Sequence, residues 1–134
     1  MTEHRFVNPP HLLPGTGFSH VAVPASGRTI YIAGQTAHQR DGSVKGTTIV
    51  EQADAALANL VEALRAGGAQ PEHVVSIQLY VTNVAAYRDA LEEVGAVWRR
   101  HLGKHYPALS LLGVNTLFDP DAMVEIVATA VIPD

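Results

Sequence analysis

The segment AMVEIVATAVI, residues 122 to 132, is apolar at almost every position. Only Glu125 and Thr129 interrupt it, so a strand formed here would be buried on both of its faces. A strand of this kind needs a covering layer on each side of its sheet. This requirement restricts the possible folds more than any other feature of the sequence.

One predicted helix follows a polar stretch near residue 47. Thr48 and Glu51 have the spacing of a capping box, in which each side chain bonds the other's backbone N–H. Apolar residues then recur at helical spacing from 53 to 64, and Gly67-Gly68 ends the pattern. The spacing predicts a helix with one apolar face.

A second helix is predicted after a strand at residues 74 to 82, where apolar and polar side chains alternate. Asn83 is a suitable N-cap, and an apolar stripe runs from residue 84 to 102. Gly103 marks the expected end of this helix. Two helices can cover one face of a sheet.

The remaining segments predict strands. Residues 18 to 24 and 29 to 35 are expected to form a hairpin, because a glycine-containing turn separates them. Residues 108 to 114 and 122 to 132 predict two more strands. The order ββαβαββ indicates the α+β class, and 134 residues fit one domain spanning 1–134.

This organisation has a consequence for assembly. The two helices leave the second face of a sheet of about five strands uncovered, and no sequence remains to cover it. We therefore expect copies of the chain to pack sheet against sheet, as an obligate oligomer. A pocket is expected at the seam between subunits.

Composition disfavours several classes of function. A net charge of −4 gives no electrostatic reason to bind nucleic acid or anionic lipid, and the absence of cysteine excludes a thiolate nucleophile. No run of 18 apolar residues predicts a membrane span, and no signal peptide is apparent, so a cytoplasmic location is expected. His101 and His105 lack a third ligand with metal-site spacing. We expect no metal or cofactor.

Several segments resemble the RidA/YjgF family of small proteins, and they extend over nearly the whole chain. They are GFSHVAV (17–23), IYIAGQ (30–35), VEQADAALANLVEALRAGGA (50–69), VVSIQLYVTNVAAYRDA (74–90), YPALSLLGV (106–114) and VEIVATAVI (124–132). The glycine-glutamine pair Gly34-Gln35 and the Tyr106-Pro107-Ala108 segment are the most specific matches. The resemblance implies a chorismate-mutase-like fold and a homotrimer with pockets between subunits.

The resemblance also implies an activity, the hydrolysis of reactive enamines and imines to ketoacids and ammonia. An arginine directly after the family's Pro-Ala pair clamps the substrate carboxylate, an aromatic residue of the first strand closes the pocket, and a glutamate of the last strand places water. A guanidinium suits this task because it makes two parallel hydrogen bonds to a carboxylate.

When the family's site residues are matched to this sequence one by one, the arginine is the charged residue that is not kept. Leu109 stands where the arginine is expected, Phe18 takes the aromatic position, and Ala33 replaces a common serine. Glu125 keeps the glutamate and is the candidate catalytic residue. Losing a bidentate charged contact costs roughly 2 to 5 kcal/mol, so the usual imino-acid turnover is expected to be poor.

Further candidates for substrate binding are Leu111, His20, Asn115 and the backbone of Gly113. Each candidate also has a structural explanation. Leu109 and Leu111 could be plain core, Phe18 could serve packing alone, and Glu125 could be the exposed member of a half-buried strand. For His20 a structural role is the more common one.

Three hypotheses of function follow. The first is an enzyme that hydrolyses or isomerises a small enamine, imine or related compound without the usual carboxylate. The second is a non-catalytic trimer that binds a small metabolite. The third is a translation-inhibitor or endoribonuclease role of the kind some relatives are named for, which the acidic charge balance disfavours.

Overall fold

Six strands and three helices form over residues 3–134, the part of the chain that a computed structural model describes. In chain order the elements are β1 (Arg5–Val7), β2 (Val21–Val23), β3 (Gly27–Gln35), α1 (Ile49–Ala66), β4 (Val74–Val81), α2 (Val84–Asp89), α3 (Leu91–Leu102), β5 (Ala108–Gly113) and β6 (Val124–Pro133). A 3-10 turn, Pro71–His73, precedes β4. The predicted α+β class is confirmed.

The main sheet has four strands in the order β3-β6-β4-β5. Strand β6 is antiparallel to both of its neighbours, whereas β5 runs parallel to β4 after the α2–α3 crossover. Along β6, Ile126 and Ala128 are buried in the core under the helices, and Val127 and Thr129 on the other face are half-buried. The doubly apolar segment therefore lies between two other strands, with one face buried under the helices and the other only half-buried.

The expected hairpin between residues 18–24 and 29–35 is wrong. β2 pairs with the short N-terminal strand β1, Arg5 opposite Val23, and β3 pairs with β6. Strand β6 is longer than β2 and pairs with β3 in a continuous ladder from Gly27 opposite Pro133 to Ile32 opposite Ala128. The sheet of about five expected strands is thus a sheet of four and a separate pair.

Helix α1 begins with the predicted capping box. The Glu51 N–H donates to Thr48 Oγ1 at 3.2 Å, and the Thr48 N–H donates to Glu51 Oε1 at 3.1 Å. The helix ends before Gly67, as predicted. Its apolar face is buried against the sheet, in a core that includes Leu57 and Leu60.

The second predicted helix starts at its expected cap, because the Ala86 N–H donates to Asn83 Oδ1 at 3.0 Å. It is not continuous. At the buried residue Ala90 the backbone leaves helical geometry, with φ of −107° and ψ of 15°, and this divides the helix into α2 and α3. Helix α3 ends at Gly103, whose φ of 71° favours glycine.

The sheet face away from the helices stays partly open within the part of the chain that the structure describes. Tyr31 on this face is 81% exposed and Leu112 is 45% exposed. None of the helices in residues 3–134 is both long and apolar enough to cross a lipid bilayer.

Candidate functional site

A cavity of about 510 Å³ lies between the edge strand β5, helices α2 and α3, and the segment before β2. Its apolar lining is formed by Phe18, Tyr87, Leu91, Val94, Trp98, Tyr106, Leu109 and Leu111. Leu109 and Leu111 pair in register with Ile77 and Leu79 of β4 and therefore face the helices. Both leucines pack against the core and also line the cavity. A core role and a role in the pocket wall are therefore compatible for these two residues.

Phe18 is held in place by its neighbour Ser19. The Ser19 N–H donates to the Pro107 carbonyl at 3.1 Å, and its hydroxyl donates to the Tyr106 carbonyl at 2.7 Å. Ser19 is buried, so both bonds are shielded from water. They fasten the segment that carries Phe18 to the start of β5, where Leu109 lies.

His20 packs edge-on against Phe18, with ring centroids 5.0 Å apart. Its Nε2 lies 2.6 Å from the Leu13 carbonyl, and its backbone N–H donates to Asn8 Oδ1 at 2.9 Å. Because a carbonyl only accepts, Nε2 carries the proton in this contact. The ring therefore has a structural partner, and it lines a smaller cavity of about 180 Å³ at the edge of the sheet.

Glu125 lies on the opposite side of the sheet from Leu109. In the β4–β6 ladder it stands opposite Tyr80, on the open face. The carboxylate rests on Gly34, where a Cβ added to the glycine would be 2.6 Å from Glu125 Oε2. Within one chain, Glu125 is not part of the cavity that Leu109 lines.

The other candidate residues lie elsewhere. Ala33 is exposed on β3, next to Gly34. Gly113 at the end of β5 packs against α2, because an added Cβ would be 2.7 Å from Val84 Cγ2. Asn115 is exposed in the following loop. None of these three residues lines the 510 Å³ cavity.

Two charged residues of the cavity were missed from sequence. Glu92 and Arg99 line it from α3, and the guanidinium of Arg99 lies over Gly95, where an added Cβ would be 3.3 Å from Nη1. The spacing of 92, 95 and 99 places all three residues on one side of a helix, which is the signal that could have shown them. Arg99 is exposed, so its charge is at the mouth of the cavity.

Tyr87 adds a polar group to the apolar wall. Burial raises the pKa of its phenol, since the phenolate would be poorly solvated there. The hydroxyl therefore stays protonated at neutral pH and can donate a hydrogen bond to a ligand in the cavity.

Residues 10–132 match the family model described as Endoribonuclease L-PSP. YyfB, a protein of the conserved Rid family from Yersinia pestis, is 35% identical, with a TM-score of 0.84 over 98% of this chain and 100% of its own. The chain belongs to the RidA/YjgF family. This confirms the resemblance of the quoted segments.

Two further solved structures have lower sequence identity to this chain. A putative endoribonuclease from Thermotoga maritima is 29% identical, with a TM-score of 0.69 over 97% of this chain and 98% of its own. A YjgF/YER057c/UK114 family member from Mycobacterium tuberculosis is also 29% identical, with a TM-score of 0.65 over 97% and 100%. Among curated proteins, none matches the chain.

Proposed function

We propose that this Rid-family chain hydrolyses a small enamine, imine or related metabolite, and that it is not a standard 2-imino acid deaminase. The observation that carries the proposal is Leu109, an alkyl side chain in the cavity wall at the position of the family's arginine. In the reaction, water adds to the imine carbon, the carbon–nitrogen bond breaks, and ammonia leaves.

The apolar lining of the cavity favours a substrate that has no carboxylate to bury there. The wall around Leu109 is made of aromatic and aliphatic side chains, and an anion placed there would lose its hydration without gaining a bidentate partner. Arg99 offers a cation only at the mouth, over Gly95. A carboxylate could therefore be held only on a longer substrate that reaches out to α3.

Glu125 is the proposed water-placing acid. Since it lies on the other face of the sheet from Leu109, both residues can serve one site only if they come from different copies of the chain. The partly open face supports such an assembly, because Tyr31 and Leu112 would otherwise remain in contact with water. We propose a homotrimer with its pockets between subunits.

A non-catalytic binder is the alternative. The separation of Glu125 from the apolar cavity in a single chain favours it, because the cavity can hold a metabolite without a reacting acid. This alternative predicts that a ligand raises the melting temperature with no turnover. An endoribonuclease role has less support, since the net charge is −4 and the cavity holds a single arginine, Arg99.

The test compares imines generated in the assay from amino acids, which carry a carboxylate, with imines generated from simple amines, which do not. Ammonia release measures turnover. We expect faster release from the carboxylate-free imines, loss of release in Glu125→Gln, and unchanged release in the control Glu93→Gln, an exposed acid that does not line the cavity.

Three results would contradict the proposal. Turnover of amino-acid imines at the rate of arginine-bearing relatives would show that the clamp is not needed. Stabilisation by ligands without turnover of either imine class would favour the binder. Cleavage of a single-stranded RNA by the purified protein, lost in Glu125→Gln, would favour the endoribonuclease role.

A further inference from the structure

Three polar side chains form a hydrogen-bonded chain away from the site described above. Thr36 Oγ1 contacts His38 Nδ1, and His38 Nε2 lies 2.9 Å from Asp119 Oδ2. A carboxylate only accepts, so Nε2 carries the proton. In the neutral ring Nδ1 is then an acceptor, and the Thr36 hydroxyl donates to it. The order hydroxyl, imidazole, carboxylate is the one that activates a hydroxyl for nucleophilic attack.

The backbone around this chain is held by Asn59 of α1. Its amide donates to the carbonyls of Thr36, at 2.9 Å, and of His38, at 3.0 Å. These two bonds fix the carbonyls on either side of Ala37, a fully buried residue. The hydroxyl and the imidazole are therefore placed by packing and hydrogen bonds, which is what a pre-organised site requires.

The carboxylate is fixed as well. Asp119 Oδ1 accepts the backbone N–H of Asp121 at 2.9 Å, and this bond, together with the contact to His38, lowers the pKa of Asp119. The carboxyl group is therefore ionised at neutral pH. It orients the ring and can stabilise the imidazolium that forms when His38 takes up a proton.

A cavity of about 490 Å³ adjoins the chain, between the end of β3 and α1. Thr36 and His38 line it, together with Arg40, Asn59 and Glu62. The His38 side chain is 36% exposed and Thr36 is half-buried, so both residues are accessible from the cavity that they line. Arg40 is the cation of this lining, and it can offset negative charge that develops on a carbonyl oxygen.

We propose that Thr36, His38 and Asp119 form a second, hydrolytic site for small esters or thioesters. His38 Nδ1 takes the hydroxyl proton as Thr36 Oγ1 bonds to the acyl carbon. The bond to the leaving alcohol or thiol then breaks, and this group departs with the proton from His38. Water next attacks the acyl-threonine, which releases a carboxylic acid and restores the hydroxyl.

The assignment does not depend on the imine reaction, because Thr36, His38 and Asp119 do not line the cavity around Leu109. Gly34, which contacts Glu125, lines the second cavity but has no side chain that takes part in the ester reaction. Thr36 and His38 are only two residues apart in sequence, and Asp119 joins them from the loop before β6. The sequence alone gives no sign of this contact, since 81 residues separate His38 from Asp119.

The test uses p-nitrophenyl acetate with the purified full chain. We expect release of p-nitrophenol and an acetyl group that mass spectrometry places on Thr36. Thr36→Val should abolish that label while keeping the shape of the side chain. His38→Gln should slow release by about 100-fold, as expected for loss of a general base. Thr116→Val, at an exposed threonine of the β5–β6 loop, is the matched control.

Acetylation confined to lysines or to the amino terminus would overturn the assignment, and so would wild-type release by Thr36→Val. Asp119→Asn adds a second measurement, because an amide can donate to Nε2 and so change which ring nitrogen carries the proton. Its release should fall by at least about tenfold while circular dichroism stays that of the wild type. An unchanged rate in that folded variant would also contradict the proposal.

Discussion

The carboxylate of Glu125 rests directly on Gly34, and a Cβ at position 34 would stand 2.6 Å from Glu125 Oε2. The conformation of the proposed acid therefore requires that residue 34, on the neighbouring strand β3, has no side chain. The glycine of the Gly34-Gln35 pair thus has a physical role, since it leaves space for the carboxylate on the open face of the sheet.

Gly34→Ala is expected to displace Glu125 and to reduce ammonia release to the level of Glu125→Gln. The conflict involves the end of a flexible side chain, so the free energy of unfolding should change by no more than about 1 kcal/mol. Steady-state assays and chemical denaturation measure the two effects. Thr29→Ala, at an exposed position of the same strand, serves as the control. Full activity in Gly34→Ala would show that the position of this carboxylate is unimportant.

Gln52 of α1 is expected to be the most sensitive polar residue for stability. Its buried amide donates to the carbonyls of Gly46, at 3.2 Å, and Asp121, at 2.9 Å, and its carbonyl accepts the Met123 N–H at 2.7 Å. Gln52→Leu leaves these backbone groups without their partner and should lower the free energy of unfolding by about 3 kcal/mol. Urea denaturation measures this.

The matched control is Gln39→Leu, because Gln39 is exposed and its side-chain amide donates to Ser43 Oγ in the same loop at 3.0 Å. Its effect should be within about 0.5 kcal/mol of zero. Equal effects of the two substitutions would mean that the three bonds of Gln52 do not hold the loops to α1.

Stability should fall as the pH drops below the ordinary histidine pKa of 6.5. Burial lowers the pKa of His105, whose ring Nε2–H donates to the Val74 carbonyl at 2.7 Å, while His4 and His73 oppose its charge and Glu72 favours it. Between the lowered and the ordinary pKa the unfolded chain binds more protons, so the free energy of unfolding rises with pH there and levels off above 6.5.

Urea denaturation across pH 5 to 8 measures this dependence, and His105→Gln should flatten it. His11→Gln is the control, because His11 is exposed. The same slope in wild type and His105→Gln would assign the pH dependence to other groups.

The open face of the sheet is expected to be an interface between copies of the chain. Val127 is half-buried in this face, between the more exposed Tyr31 and Leu112 of the edge strands. Val127→Arg would place a charge in the interface and should dissociate the assembly. Sedimentation velocity should show three chains for the wild type and for Ala58→Arg, on the exposed side of α1. A folded wild-type monomer would contradict the proposed trimer.

Local features of the fold could be predicted from sequence because neighbouring residues determine them. The Thr48–Glu51 capping box, the Asn83 cap and the stop at Gly103 each depend on a few consecutive residues. The apolar composition of β6 predicted a strand that needs cover on both faces, and the helices cover one of them. The pairing of β1 with β2 could not be predicted, since it joins two three-residue segments across the chain, and no glycine or proline marks the break at Ala90.

The faces of the sheet on which the candidate site residues lie depend on the pairing register of β4 with β5 and with β6. The sequence does not show this register. Leu109 and Glu125 were expected to serve one pocket, but Ile77 opposite Leu109 faces the helices and Tyr80 opposite Glu125 lies on the open face. A shift of one residue in either ladder would move Leu109 or Glu125 to the opposite face of the sheet. The predicted roles of these two residues, and of Phe18 and Leu111, remain predictions.

The most direct test of the proposed function is the rate at which Leu109→Arg hydrolyses amino-acid imines. A guanidinium in the cavity wall would supply the bidentate carboxylate contact, so we predict an increase in kcat/KM of at least about tenfold over the wild type, equivalent to about 1.4 kcal/mol. Leu13→Arg, at a position 75% exposed in the N-terminal loop, should leave the rate unchanged. A folded Leu109→Arg variant with wild-type or lower kcat/KM would contradict the claim that this position determines the substrate.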